Sequence, residues 1–292
     1  MSRQWDRTAP LGVFDSGVGG LTVLRAIRQA APNESTIYVG DTARVPYGTK
    51  SPEAIVRNAL EVASYLEAQG IKYLVAACNS ASAVAMDALK EHISLPVKGV
   101  ITPGAEAAVA ATRNGKIGVI GTRATIGSGA YKEAIRSLDS SAMVFSRACP
   151  LFVPLAEEGW TEGAVPEAIA REYLAPLVAA GVDVLVLGCT HYPILRATIG
   201  AAVGHGVALI DSAEATAKAV AEDLDLHGMN APEGTRPTSR LSAGVAGTLD
   251  IELIKRGYYG NQRHVNPTGI VPVGPELDLD SPHDRDRFAK AA

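Results

Sequence analysis

Three groups suited to proton transfer or anion binding stand together at Cys189-Thr190-His191, one glycine after the apolar run Val184–Leu187. A second thiol, Cys78, follows the similar run Tyr73–Ala77 and precedes Asn79 and Ser80. A thiolate can abstract a proton and a thiol can return one, so two strand-end cysteines suit general acid–base chemistry. A helix starting just after Cys78 would bring free N–H groups and a positive dipole end to the sulfur, which predicts a lowered thiol pKa. A lone cysteine is more often a small core hydrophobe, and it is the repetition that argues for a site. Cys149, in SRACPLFVP, lacks a following polar residue or helix start and reads as structural.

The segment DSGVGG, Asp15 to Gly20, follows another apolar run and opens a helical pattern. The dinucleotide fingerprint G-x-G-x-x-G fails in it, because Thr22 stands where the last glycine belongs. What remains is a carboxylate, a hydroxyl and free backbone N–H groups, suited to an anionic ligand beside a thiol. A zinc site would use Cys78, Cys189, His191 and Asp15, but the chain has no C-x-x-C pair to start one. Neither metal nor cofactor is expected.

The elements that must carry these groups alternate short apolar runs with longer helical patterns, Gly and Pro marking the joints. This predicts an α/β fold of βα units on mostly parallel sheets, with ligands beyond the carboxyl ends of the strands. An internal echo divides it in two: GVFDSG at Gly12 is matched by GVIGTR at Gly118, and LVAACNSAS at Leu74 by LVLGCTHYP at Leu185. We therefore expect two pseudo-symmetric doubly wound lobes with the active site in the cleft between them. Lobe A is expected over residues 1–102 and 212–268 and lobe B over 103–211, with a loose tail over 269–292. The joints near Pro103 and Asp211 are the expected hinges.

Composition narrows the function classes. Of 292 residues, 47% are hydrophobic and 20% charged, as in an ordinary globular protein. With 27 Lys and Arg against 31 Asp and Glu, the formal charge of -4 predicts no nucleic-acid partner. No apolar run approaches the roughly 20 residues that cross a bilayer, and residues 1–10 do not look like a signal peptide, so no membrane association and a cytoplasmic location are expected.

The stretches GVFDSGVGGLTVL, GDTARVPYG, ACNSASA, GTRATI, CPLFVPLAEEG and GCTHYP, in that order over roughly residues 11–215, closely resemble those of glutamate racemases. The resemblance implies inversion of the glutamate α-carbon without cofactor or metal, supplying D-glutamate for peptidoglycan, by a homodimer. It implies that Cys78 and Cys189 are the acid/base thiols, supported by Asp15, Glu157 and His191. It also implies that Asp15, Ser16, Tyr47, Gly48, Asn79, Ser80, Thr190 and His191 bind the substrate. Ser80 departs from the Thr usual there, keeping the hydroxyl and losing a methyl, and Glu158 is the alternative to Glu157 if the local alignment slips by one.

Such chemistry explains why two thiols are needed. Racemisation removes the α-proton from one face and returns a proton to the other, so one base would only restore the starting enantiomer. One cysteine must be thiolate while the other is thiol. Preorganised donors around the α-carboxylate, for which Asn79, Ser80 and Thr190 are the candidates, would stabilise the carbanion. An aspartate racemase using the same thiols and a non-catalytic binding protein are the rival readings.

Overall fold

The computed structural model describes residues 5–243. The first half of the chain forms β1 (Leu11–Asp15), α1 (Leu21–Ala30), β2 (Thr36–Gly40), α2 (Pro52–Ala68), β3 (Tyr73–Ala76), α3 (Asn79–Val84), α4 (Met86–His92) and β4 (Val97–Gly99). After α5 (Ile101–Ala111) come β5 (Lys116–Gly121), α6 (Arg123–Ser128), α7 (Ala130–Leu138), β6 (Met143–Ala148), α8 (Phe152–Glu157) and α9 (Ala164–Ala180). They are followed by β7 (Val184–Gly188), α10 (Arg196–Val203), β8 (Ala208–Asp211), α11 (Ser212–Leu226) and β9 (Ser239–Ala243).

Two sheets result, ordered β4-β3-β1-β2-β9 and β6-β5-β7-β8. Every strand pair in them is parallel. Read from the opposite edge, the second sheet runs β8-β7-β5-β6, which repeats β4-β3-β1-β2 and gives the echo in the sequence a structural form. The expectation of mostly parallel sheets in two doubly wound units is met.

Parallel strands covered on both faces read as continuous apolar runs, and their side chains alternate between two cores. In β7, Val184 and Val186 pack with Ile117, Val119 and Ile135, while Leu185 and Leu187 pack with Phe152, Leu174 and Tyr192 on the other face. In the first sheet, Leu11 and Val13 join Leu24, Ile27 and Val220, whereas Phe14, Leu74 and Ala76 join Ile55, Val62 and Leu66. Helix α2 is set by local chemistry: Ser51 Oγ accepts from the Ala54 N–H, Pro52 fits the first turn, and Ile55, Ala59, Val62 and Leu66 form its buried stripe.

The chain crosses between the sheets twice. Val100 packs in the core of the first sheet and Ile101 in that of the second; Asp211 ends β8, and Ala213 is back in the core of the first sheet. Helices α5 and α11 meet at these crossings, where a Cβ on Gly104 would lie 3.6 Å from Ser212 Cβ. The helix expected just after Cys78 starts at Asn79, but it is interrupted at Ala85, which ends α3 and precedes α4. The expected tail over 269–292, and the part of lobe A beyond 243, lie outside the described residues.

Candidate functional site

Strands β3 and β7 hold equivalent places beside β1 and β5, with Phe14 level with Ala76 and Gly121 level with Gly188. Cys78 stands at the N-terminus of α3 and Cys189 directly after β7, 5% and 6% exposed. The Ala81 N–H, together with the Ser16 N–H and hydroxyl, favours the thiolate form of Cys78. The expected lowering of this thiol pKa is nevertheless corrected: burial, and after it the Asp15 carboxylate, push Cys78 up to about 12. Helix α3 has only six residues, and its few N–H groups do not offset the loss of water around the sulfur.

On the other side, Cys189 Sγ is 3.7 Å from His191 Nδ1, and His191 Nε2 is 3.4 Å from Glu157 Oε1. Burial pulls the His191 pKa down, but the Cys189 sulfur and Glu157 carboxylate outweigh it and raise it to about 10. Glu157, 42% exposed at its side chain, ends α8 and is the carboxylate that meets His191, whereas Glu158 is exposed.

Asp15 is fully buried at the end of β1. Its Oδ2 accepts from the Gly17 and Gly20 N–H groups at 3.0 and 3.1 Å, while Oδ1 has no hydrogen-bond partner. Gly19 is where the DSGVGG turn meets the other half of the molecule: a Cβ there would lie 2.5 Å from Thr190 Oγ1 and 2.9 Å from His191 Cε1. Similarly, a Cβ on Gly48 would lie 2.5 Å from Thr122 Cβ.

The hydroxyls of Ser80, Thr122 and Thr125 form a buried triangle, with Ser80 Oγ 2.9 Å from Thr122 Oγ1 and 3.3 Å from Thr125 Oγ1, and the two threonine oxygens 3.1 Å apart. Asn79 Oδ1 accepts from the Tyr131 hydroxyl at 2.8 Å, and Asn79 Nδ2 is buried without a partner. The Tyr47 hydroxyl donates to Asp41 Oδ2 at 2.5 Å, where the Arg44 Nε–H also donates at 2.7 Å. Burial and Asp41 keep Tyr47 protonated, so its hydroxyl is taken up by Asp41.

Thr122, Thr125, Tyr131 and Asp41 were not singled out from the sequence. Thr122 carried a signal, since GVIGTR puts it in the place that Ser16 has in GVFDSG. Among the described residues, no group of three or more His, Cys, Asp or Glu side chains is arranged to hold a metal ion.

Residues 12–220 match the Asp/Glu/Hydantoin racemase family. The chain belongs to that family. Within it this racemase is an isomerase of the glutamate racemase group. It is 58% identical over 229 residues to the glutamate racemase of Geobacter metallireducens, covering 78% of this chain and 83% of that one. Its structure is similar to a glutamate racemase isoform of Bacillus anthracis, with a TM-score of 0.79, 41% identity and coverage of 81% of this chain and 89% of that one. It is also similar to the glutamate racemase of Francisella tularensis in complex with D-glutamate, with a TM-score of 0.76, 38% identity and coverage of 81% and 88%. No helix among the described residues is long and apolar enough to cross a membrane.

Proposed function

We propose that this racemase interconverts L- and D-glutamate through two facing thiols. With L-glutamate, the Cys189 thiolate removes the α-proton as the C–H electron pair passes to the α-carbon. The Cys78 thiol then delivers its proton to the opposite face, leaving Cys78 as thiolate and Cys189 as thiol. D-glutamate is the product, and the reverse sequence consumes it.

The carrying observation is the unlike treatment of two equivalent strand ends: burial and Asp15 keep a proton on Cys78, whereas Cys189 has the proton-retaining His191 beside it. This asymmetry supports a complementary pair of the kind the chemistry needs. Asp15 and His191 relay protons to and from their neighbouring sulfurs, and Glu157 supports His191. Asn79, Ser80 and Thr190, with Ser16, Tyr47 and Gly48, surround the substrate. The orphaned donor on Asn79 is suited to a carboxylate that gains charge in the transition state. No cofactor or metal enters these steps.

The same reading takes the cleft to lie between lobe A, residues 1–102 with 212–268, and lobe B, residues 103–211. It includes a homodimer, a cytoplasmic location and D-glutamate supply for peptidoglycan. To test it, the enzyme is dialysed against a chelator and given L-glutamate in deuterated buffer. Deuterium should enter the α-position as D-glutamate accumulates, faster than with L-aspartate. Absence of inversion, or activity lost to the chelator and restored by zinc, would overturn the reading.

A further inference from the structure

Tyr131 touches the surroundings of both thiols without neighbouring either in sequence. It lies on α7 and is 2% exposed. Its ring fits between two glycines: a Cβ on Gly104 would lie 3.2 Å from Tyr131 Cε1 and from its hydroxyl oxygen, and a Cβ on Gly188 3.1 Å from Cε2. Gly188 directly precedes Cys189. The hydroxyl reaches in the other direction to Asn79 Oδ1, and Asn79 directly follows Cys78. The Ser212 side chain at the start of α11 lies beside the same phenol. Burial raises the phenol pKa, so the group remains an O–H donor.

Orienting Asn79 is what such a donor does best. An amide whose oxygen is held by Tyr131 must direct its nitrogen elsewhere, and Asn79 Nδ2 is buried without a partner. We propose that Tyr131 is a positioning residue for racemisation: it turns the Asn79 amide so that Nδ2 faces the substrate carboxylate beside Cys78, while its ring supports the Gly188 backbone that delivers Cys189. This rests on the proposed glutamate chemistry and adds a residue to it. An orphaned buried donor loses free energy until a ligand satisfies it, so it is kept where a ligand uses it.

Tyr131→Phe keeps the ring between its glycines and removes only the hydroxyl. We expect a melting temperature close to the parent's and a kcat/KM for glutamate lowered about tenfold, the worth of one well-directed hydrogen bond. In an Asn79→Ala background the same substitution should change kcat/KM less than about twofold, because the two act as one unit. Initial slopes at low glutamate give kcat/KM even for slow variants. Gly104→Ala serves as a second probe, since it retains the phenol and displaces it: activity should fall while the helix is maintained.

A parent enzyme that fails to invert glutamate would overturn the function itself. If the parent is active, the Tyr131 assignment alone fails in either of two ways. One is a Tyr131→Phe enzyme with parental kcat/KM; the other is an equal loss from that substitution with and without Asn79.

Discussion

Ser80 Oγ and Thr122 Oγ1 lie 2.9 Å apart, joining the helix that follows Cys78 to the start of the first helix of the second sheet. Thr122 also caps α6 by accepting from the Thr125 N–H at 3.2 Å. Replacing it with the isosteric Val removes the cap and the bonds to the Ser80 and Thr125 hydroxyls, so Thr122→Val should destabilise the fold by about 3 kcal/mol, from a cap and two buried hydrogen bonds of about 1 each. Thr122→Ser keeps the oxygen and should lose less than half as much. Urea unfolding of the three proteins measures this, and equal losses would dismiss the hydroxyl as the cause.

The two cysteines should be separable. Cys78→Ala or Cys189→Ala should lose net inversion, because no group remains to deliver a proton on the opposite face. The remaining thiol can still remove and return a proton on its own face, so Cys78→Ala should show slow α-deuterium exchange with L-glutamate and Cys189→Ala with D-glutamate. Proton NMR in deuterated buffer reads the exchange and chiral chromatography the inversion. Near-parental racemisation by either variant would falsify the two-thiol assignment.

Gly19→Ala puts a methyl where Thr190 Oγ1 is 2.5 Å away. The neighbouring parts must separate, and misplacement of reacting groups by about 1 Å can cost about a hundredfold in rate. We expect a loss of kcat/KM of that order with unfolding free energy within about 1 kcal/mol of the parent's, since the turn itself is not left-handed and only the close approach is obstructed. Parental kinetics would mean that this approach is unimportant for catalysis.

His191 supplies a pH-dependent test. Its folded pKa of about 10 exceeds the ordinary 6.5, so the folded state holds this proton more tightly than the unfolded chain does. The resulting stability is complete below pH 6.5 and is lost as pH rises to about 10. The stability difference between the parent and His191→Asn should therefore shift against the parent across that window. Comparing the two cancels the similar alkaline loss from Cys78, whose folded pKa is also raised. A difference constant over the window would count against a retained imidazolium.

Lys72 Nζ is 2.6 Å from Glu34 Oε2, and both side chains are buried. Lys72 also donates to the Arg7 carbonyl at 2.8 Å, and Glu34 Oε1 accepts from the Ala231 N–H at 2.6 Å, so the pair ties segments from both ends of the described chain. Lys72→Met strands a buried carboxylate and should cost about 3–5 kcal/mol, while Lys72→Met with Glu34→Gln should recover much of it. Denaturant midpoints of the two variants decide the matter; equal values would show that the charge on Glu34 is not the source of the loss.

How much was legible in the sequence follows the physics of burial. Strands such as Val184–Gly188, covered on both faces, had to be continuous apolar runs, and the repeated Cys motifs marked equivalent ends. Strand β4 escaped notice because its three residues, Val97, Lys98 and Gly99, are too few to form a pattern. Strand β9 escaped because SRLSA, pairing only with β2, need not be apolar throughout. In the candidate site, Asp15, Cys78, Cys189 and His191 stand out in the sequence by their types and places. Tyr131, Thr125 and Asp41 could not, since their importance lies in contacts between segments distant in sequence. The Cys78 pKa was misjudged for a related reason: a helix start is visible locally, but the burial and the Asp15 charge come from elsewhere in the fold.

The double crossing at Val100–Ile101 and Asp211–Ala213 has a mechanical consequence. The second sheet is spliced into the first, and its two covalent tethers lie side by side where Gly104 faces Ser212. A single tether would act as a swivel, but a two-ply strap bends across its width and resists twisting, because torsion would shear α5 against α11. Such a strap favours a swing like that of a book's covers over a twist. On the two-thiol reading proposed above, such a swing would widen the mouth for a substrate and keep the two sulfurs on opposing pages, where they would meet the same carbon from either side.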